Sequence, residues 1–173
     1  MAENRGLTNV DADGVAWNET FEPWSFKEDS PAATPDVTQM TVVFWDNQFI
    51  DDFKVTWSYD VATNSYTRSY GDQPHLDLNT EKQISAKNVV ILFMKESRAN
   101  DGYDNNLHLL YANKGTGTAF VFQDGTVVEA KWRKKDRESR TVITDASGKE
   151  LALNAGRTWL EIVPMKGQDS LEY

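Results

Sequence analysis

One short segment of the sequence combines residue types that could carry out acid–base chemistry. His75 and Asp77 stand two positions apart in "QPHLDL", so an extended strand would place both side chains on one face. A carboxylate beside an imidazole fixes its tautomer and supports its charged form, which is the minimum equipment of a general base. The same pair could supply two metal ligands. Arg68, in the preceding segment "SYTRSY", could hold the Asp77 carboxylate or bind an anionic ligand through two N–H groups.

The alternative is that these polar residues satisfy one another and fix a long loop against the edge of a sheet. Catalysis requires a nucleophile or a complete set of metal ligands. The sequence contains no Cys, no G-x-S-x-G or H-E-x-x-H motif, and only one other histidine. We therefore favour a structural or ligand-binding role over catalysis, and we expect no metal and no cofactor. The predicted polar cluster consists of Tyr66, Arg68, His75, Asp77 and Asn88.

Four other segments carry weaker signals. His108 stands in an apolar run and is interpreted as an ordinary strand residue. Residues 98–106 resemble a calcium-binding loop but lack its closing glutamate. Residues 131–140 hold six basic and two acidic residues, which could meet phosphate or an acidic partner but favour a solvated hairpin tip. Residues 113–118, "NKGTGT", lack the lysine-serine ending of a phosphate-binding loop.

The composition restricts the class of protein. A chain of 173 residues fits one domain with an extension, and its six Trp, six Tyr and eight Phe favour strands. The net charge of −9 argues against a general nucleic-acid binder. No segment approaches the roughly 18 to 20 apolar residues of a membrane span, and the first residues lack the pattern of a signal peptide. We therefore expect a soluble chain without a membrane span of its own.

The charge and the pattern change near residue 38. Residues 1–38 carry eight acidic and two basic residues and three of the five prolines, so we interpret them as an irregular acidic extension or linker. The β-rich domain is expected to cover residues 39–173. The extension also carries aromatic residues, which we expect to pack onto the domain, although they could instead be anchors for a partner. These aromatic residues are Trp17, Phe21, Trp24 and Phe26.

From residue 39 onward, short segments with an alternating pattern are separated by turn residues, which is typical of strands joined by hairpins. The predicted strands are 39–45, 53–59, 65–70, 88–94, 107–112, 117–123, 126–133, 139–144, 150–153 and 157–163. Residues 79–88 could form a single helical turn. The sequence thus predicts an all-β, mainly antiparallel fold: a hairpin meander that forms a barrel or a two-layer sandwich.

The strongest local signal is Asp124-Gly125, a dipeptide typical of a two-residue type I′ turn. This turn would pair Gln123 with Thr126. It would also place alternate residues of the two strands on the face that we expect to contact the core. Those residues are Ala119, Val121, Val128, Ala130 and Trp132.

Several of these segments, taken in order, resemble the C-terminal domain of the YerB-like bacterial lipoproteins. The family pattern consists of Y-x-R, H-x-D, an N-V-V strand, G-x-G, a D-G hairpin, a tryptophan strand, D-x-x-G-K and a closing G-x-T-W. It corresponds here to Tyr66 and Arg68, His75 and Asp77, Asn88, Gly115 and Gly117, Asp124 and Gly125, Trp132, Asp145 with Gly148 and Lys149, and Gly156 with Trp159. The resemblance covers about residues 40 to 164.

The family has no assigned activity, and its members carry a lipid-modified N-terminus and an additional N-terminal domain. The resemblance therefore implies that this chain is the C-terminal half of an extracytoplasmic, membrane-anchored parent. We expect a non-catalytic, envelope-associated binding module in which Arg68 anchors an anion or carboxylate and His75 and Asp77 are its hydrogen-bonding neighbours. Its partner would be its own N-terminal domain, an envelope protein or a cell-wall component.

Two alternatives remain open. The first is a hydrolase or transferase that acts on cell-wall material, with His75 as the base and Asp77 orienting it. The second is a structural spacer for the N-terminal domain, which would require a broad apolar contact surface.

Overall fold

The computed structural model describes residues 9–16, 21–45, 53–104 and 108–173. Within these residues the chain forms short β-strands and one 3₁₀ helix, Met165–Ser170. The strands are β1 (Phe26–Lys27), β2 (Gln39–Val43), β3 (Lys54–Asp60), β4 (Ser65–Tyr70), β5 (Gln73–Pro74), β6 (Ser85–Ala86), β7 (Asn88–Met94), β8 (Glu96–Arg98), β9 (Leu109–Tyr111), β10 (Gly115–Gln123), β11 (Thr126–Lys134), β12 (Val142–Thr144), β13 (Leu153–Asn154) and β14 (Thr158–Pro164).

Two five-stranded sheets form the body. Sheet A has the order β12-β11-β10-β7-β14, and sheet B has the order β2-β3-β4-β5 with β6 also paired to β4. Residues of both sheets form one buried inter-sheet core, in which Trp57 and Tyr66 of sheet B join Phe93 and Phe122 of sheet A. The all-β prediction is confirmed, and of the two architectures considered the sandwich is correct, since neither sheet closes into a barrel.

The pairing is mainly antiparallel, as predicted, with two parallel exceptions. β14 lies parallel to β7, and β1 lies parallel to β13. The first exception matters for the candidate site, because it places β14 at the edge of sheet A, where its inward side chains face sheet B.

β7 is buried along its whole length because both faces of sheet A are covered. Val89, Ile91 and Phe93 face the inter-sheet core, whereas Val90 and Leu92 belong to a second, outer core. Strands covered on both faces lose the alternating pattern and become continuously apolar. The sequence "NVVILFM" follows this rule.

The Asp124-Gly125 turn is confirmed. Both residues have positive φ, 57° and 73°, and Gln123 pairs with Thr126. The predicted core face is correct in that Ala119, Val121, Ala130 and Trp132 are buried in the outer core. The opposite face is also buried, since Phe122 lies in the inter-sheet core.

The N-terminal extension contacts the body in part. The Trp24 indole N–H donates to the Thr141 carbonyl at 2.7 Å, and Trp24 covers the outer core. Phe21 and Phe26 are 72% and 55% exposed, so the packing predicted for them is wrong. Trp17 lies outside the described residues.

The helical turn predicted within residues 79–88 is wrong. The Asp77 carboxylate accepts the N–H groups of Asn79 and Thr80, which closes a tight turn, and Glu81 follows with a φ of 57°. A positive φ ends a right-handed helix. The chain then forms β6, so residues for which local propensity predicted a helix pair with β4 of sheet B instead.

Candidate functional site

The structure separates the predicted polar cluster into two networks. Arg68 and His75 form one network, Tyr66 and Asn88 belong to a second, and Asp77 joins neither. Alternate residues of β4 all point into the sandwich, so Tyr66 and Arg68 enter the same core but meet different partners of sheet A.

Arg68 forms a buried ion pair. It is 5% exposed, and its Nε donates to Oε1 of Glu161, itself 4% exposed, at 2.8 Å. The Trp57 indole N–H donates to the same carboxylate oxygen at 3.1 Å. Glu161 occupies an inward position of β14, where the parallel pairing with β7 directs it toward sheet B.

Three aromatic rings surround the Arg68 guanidinium. Its central carbon lies 5.9 Å from the ring centroid of Trp57, 5.6 Å from that of Tyr70 and 5.1 Å from that of Trp159. Rings at this distance stabilise a cation through their quadrupoles, more strongly where water is excluded. We call Arg68, Glu161, His75, Trp57, Tyr70 and Trp159 the arginine cluster.

His75 lies at the rim of the arginine cluster as a hydrogen-bond acceptor. Nδ1 of His75 and an NH1 group of Arg68 are 2.5 Å apart. Because a guanidinium can only donate, Nδ1 must be unprotonated, and a neutral imidazole then carries its proton on Nε2. Burial and the adjacent Arg68 charge lower the pKa of His75, while Glu161 opposes the shift. The geometry therefore favours a neutral structural imidazole.

This environment predicts a pH-dependent stability. The folded-state pKa of His75 lies below its usual value of 6.5. As the pH falls below about 6.5, the unfolded chain binds a proton that the folded chain does not, so folding stability decreases. The stabilisation that neutral His75 contributes is fully present above that pH and is lost as the pH falls through the folded-state pKa. We expect the melting temperature to fall between pH 7.5 and 5.5.

His75→Gln should flatten this pH dependence, because the amide oxygen can accept from Arg68 without titrating. Calorimetry of the two proteins at several pH values measures the difference. His108→Gln, on an exposed loop, is the control. An equal loss of melting temperature in the wild type and in His75→Gln would show that His75 does not cause it.

The predicted contact between Arg68 and Asp77 is wrong. Oδ1 of Asp77 accepts hydrogen bonds from the Thr80 N–H and hydroxyl, both at 2.8 Å, and from the Asn79 N–H at 3.2 Å. These local bonds lower the pKa of Asp77. Closing a turn of a few residues costs less chain entropy than joining Asp77 to a distant strand. The expected orientation of His75 by Asp77 is therefore absent from the described contacts.

Glu161 is the residue that sequence analysis missed. Its signal is a single acidic residue at an inward position of an otherwise apolar strand, "TWLEIV". A buried carboxylate requires a cation or several donors. That requirement could have indicated that Glu161 has a cationic or hydrogen-bond-donating partner, but it could not have identified the partner.

The second network centres on Asp124 of the β10–β11 turn. Its Oδ1 accepts from the side-chain amides of Asn64 at 2.8 Å and Asn154 at 2.7 Å, and its Oδ2 pairs with Lys27 at 2.5 Å. Burial opposes ionisation, but the bonds from Lys27, Asn64 and Asn154 outweigh it and lower the pKa of Asp124. We call Asp124, Lys27, Asn64, Asn154 and Asn88 the aspartate network.

Asn88 joins this network through Asn154, and Tyr66 contacts it at Gly125. The Tyr66 hydroxyl accepts the Gly125 N–H at 3.1 Å, and burial raises the pKa of Tyr66. The Asn88 amide donates to the Asn154 carbonyl at 2.9 Å, while its own carbonyl accepts the Asn154 N–H at 2.8 Å. The side chains are thus used to join the N-terminal segment, two hairpin turns and β13.

Two surface grooves accompany these networks. The first, of about 470 Å³, lies at the open seam between β6 and β14, with Ile84 and Trp159 in its wall and Lys82 and Arg157 beside them. The second, of about 630 Å³, is lined by Trp45, Phe53, Glu96, Ser97, Arg98, Leu109 and Lys166. Oε2 of Glu96 accepts from both the Trp45 indole N–H and the Tyr111 hydroxyl, at 2.9 Å each, so the carboxylate of the second groove is bonded within the fold.

The weaker candidates remain surface features. Asp101 pairs with His108 at 2.7 Å on an exposed loop, and the neighbouring residues 105–107 lie outside the described residues. In the part of the chain that the structure describes, no three His, Asp or Glu side chains come together as metal ligands. From the basic segment 131–140, Arg140 forms a two-bond ion pair with Glu150.

The fold and these sites define a β-sandwich domain whose buried charged residues, Arg68, Glu161 and Asp124, are bonded within the fold. The chain belongs to the family described as "Protein of unknown function (DUF3048) C-terminal domain", whose model matches residues 41–160. The family resemblance noted in the sequence is thereby confirmed.

Two relatives support this assignment. "Putative lipoprotein YerB" of Bacillus subtilis (strain 168) is 27% identical over 110 residues, which is 64% of this chain and 31% of the relative. The crystal structure of the YerB protein from Bacillus subtilis matches with a TM-score of 0.72 and 23% identity, over 99% of this chain and 50% of that chain. This chain therefore spans between about a third and a half of the relatives that it matches. No helix among the described residues has the length and apolar character that crossing a membrane requires.

Proposed function

We propose that this domain is a non-catalytic interaction module of an envelope-anchored lipoprotein, and that it docks onto a second domain of the same polypeptide through β14. The observation that carries the proposal is that one edge of this strand is unpaired in the described part of the chain. Within the described residues, β14 pairs with β7 alone, on the outer edge of sheet A.

Among the described residues, the outer strands β12 and β2 are each partly covered. Thr144 of β12 bridges to Glu150, and Thr41 of β2 bridges to Glu172. Natural sheets protect exposed edges by such coverage, by charged side chains or by very short strands. β5, at the far edge of sheet B, is only two residues long.

In the part of the chain that the structure describes, β14 has none of these protections apart from Pro164 at its end. Its outward side chains Leu160 and Ile162 are 39% and 38% exposed, and Met165 follows them on the surface. Its acidic residue, Glu161, points inward to Arg68. An apolar, uncharged edge strand is the geometry that accepts an additional strand or an apolar surface.

The occupant we assign is a further domain of the same protein. The matched relatives are two to three times as long as the aligned region, and one of them is named a lipoprotein. A second domain of the same chain is held at high effective concentration, so a modest contact suffices. The envelope location follows the name of that relative and forms part of this proposal.

Hydrogen exchange of the isolated domain and of the full-length protein tests the docking. We expect the amides of β14 to exchange at least tenfold more slowly in the full-length protein, because docking covers the edge. The double variant Leu160→Lys/Ile162→Lys should abolish the difference by placing two charges in the contact. Val61→Lys, an exposed apolar position in the β3–β4 turn, is the matched control.

Equal exchange of the β14 amides in the two proteins would refute the docking proposal. It would leave the spacer alternative as the better account. The described contacts give no support to a hydrolase, since His75 accepts from Arg68 and Asp77 is bonded within its own loop.

A further inference from the structure

The groove at the seam of the sandwich has the size and position of a ligand site. It is lined by residues of β6 in sheet B and of the start of β14 in sheet A, and its volume is about 470 Å³. Ligand sites of proteins commonly fall between about 300 and 1,000 Å³ and combine apolar walls with a few polar groups. Here Ile84, Ala86 and Trp159 provide apolar wall.

The cations of the groove have no ion-pair partner within the described part of the chain. Arg157 is exposed, and its NH2 group donates to the Ser85 hydroxyl at 3.0 Å, whereas Lys82 forms no ion pair there. The one acidic residue of the lining is Asp77, whose Oδ1 is held by its own loop. Asp77 also interacts electrostatically with Arg157, so the lining carries one net positive charge, in a chain of net charge −9.

Trp159 supplies a second, independent observation. Its ring lines the groove and also packs on Arg68, but its buried indole N–H has no hydrogen-bond partner. A buried donor without an acceptor destabilises a structure, and such groups are uncommon in native proteins. A ligand that moves the groove wall and offers a carbonyl to this N–H would relieve that cost.

We infer that the seam groove binds a short peptide that ends in a free carboxylate. Arg157 and Lys82 bind the carboxylate, since a guanidinium presents paired donors that match its two oxygens. The apolar wall accepts the side chains, and a backbone carbonyl of the peptide accepts from the Trp159 indole. This site faces the interior side of β14, so it does not depend on docking at the outward side chains Leu160 and Ile162.

Nuclear magnetic resonance titration of the ¹⁵N-labelled domain tests this inference. The probes are N-acetyl-alanyl-alanine and its C-terminal amide, each made from L- and from D-alanine. The chain has six tryptophans, so Trp159→Phe identifies the Trp159 indole signal among six. We expect the dipeptide acid to shift the Trp159 indole signal and the backbone N–H signals of β6 until saturation. The dipeptide with the C-terminal amide should bind at least about tenfold more weakly.

Arg157→Gln should weaken binding of the acid to the level of the amide, whereas Arg133→Gln, an exposed position of β11, should not. Preference for the L-peptide would assign the ligand to a protein C-terminus, and preference for the D-peptide to a wall peptide. Equal binding of acid and amide, shifts confined to residues outside the groove, or no saturation would each refute the inference. Unchanged signals of the sheet A core in each variant show that the fold is intact.

Discussion

Arg68→Met is expected to lower the free energy of unfolding by about 3–5 kcal/mol, because it leaves the Glu161 carboxylate buried without a cation. The variant also removes the donor to His75 and the cation that packs on Trp57, Tyr70 and Trp159. Urea denaturation followed by tryptophan fluorescence measures the loss. The slope of the transition should stay unchanged if the native fold is retained.

The double variant Arg68→Met/Glu161→Leu separates the ion pair from the packing around it. Replacing both partners by apolar groups of similar size is often neutral, so the double variant should regain most of the stability that Arg68→Met loses. Arg140→Met, which breaks a half-buried pair with Glu150, is the matched control and should cost no more than about 1 kcal/mol. A loss for Arg68→Met no larger than this control would mean that the arginine cluster does not hold the sandwich together.

Asp124→Ala is expected to produce the second large effect, a loss of about 3–5 kcal/mol. The substitution leaves Lys27, Asn64 and Asn154 without their shared acceptor. It also places alanine at a φ of 57°, where a residue with a Cβ is strained unless its side chain bonds locally. The free energy of unfolding from urea denaturation checks the magnitude.

This variant should also release the N-terminal segment. Ala32 and Val37 donate their N–H groups to the carbonyls of Asp124 and Gly125, and Leu153 donates to the Ser25 carbonyl. We expect these three amides to lose hydrogen-exchange protection before the sandwich unfolds.

Asp145→Ala, in the exposed "DASG" turn, is the matched control, because the Asp145 carboxylate accepts the N–H groups of Ser147 and Lys149 within its own turn. It should lower the free energy of unfolding far less than Asp124→Ala does. Unaltered protection of Ala32, Val37 and Leu153 in Asp124→Ala would show that the aspartate network does not attach the extension.

The predictable part of the fold is the part that depends on neighbouring residues. Alternation in "FKVTWSY" predicted β3, and the Asp-Gly dipeptide predicted the β10–β11 turn with its register. Both signals act over a few residues, because side chains alternate along any strand and a type I′ turn needs two residues with positive φ. The helical turn predicted for residues 79–88 is wrong because local signals do not include distant partners. Here part of the segment forms β6, which pairs with β4.

The candidate site was predictable only in part, because Glu161 was missed and the contacts were not foreseen. The sequence indicated Arg68 and His75, which do meet, although Asp77 was assigned to them and lies elsewhere. Two-residue spacing favours a shared face only while the strand continues. Here β5 ends at Pro74, before either residue, and the Asp77 carboxylate bonds to Thr80 within the turn that follows.

The sequence by itself determined that this protein is a cysteine-free, all-β domain of hairpins, with an arginine and a histidine set into its polar positions. Only the tertiary structure decided that Arg68 is neutralised by Glu161, 93 residues away, and that Asp124 holds Lys27 across 97 residues. The physical reason is range. Turn and strand preferences are properties of adjacent residues, whereas the partner of a buried charge depends on the order and direction in which the strands assemble.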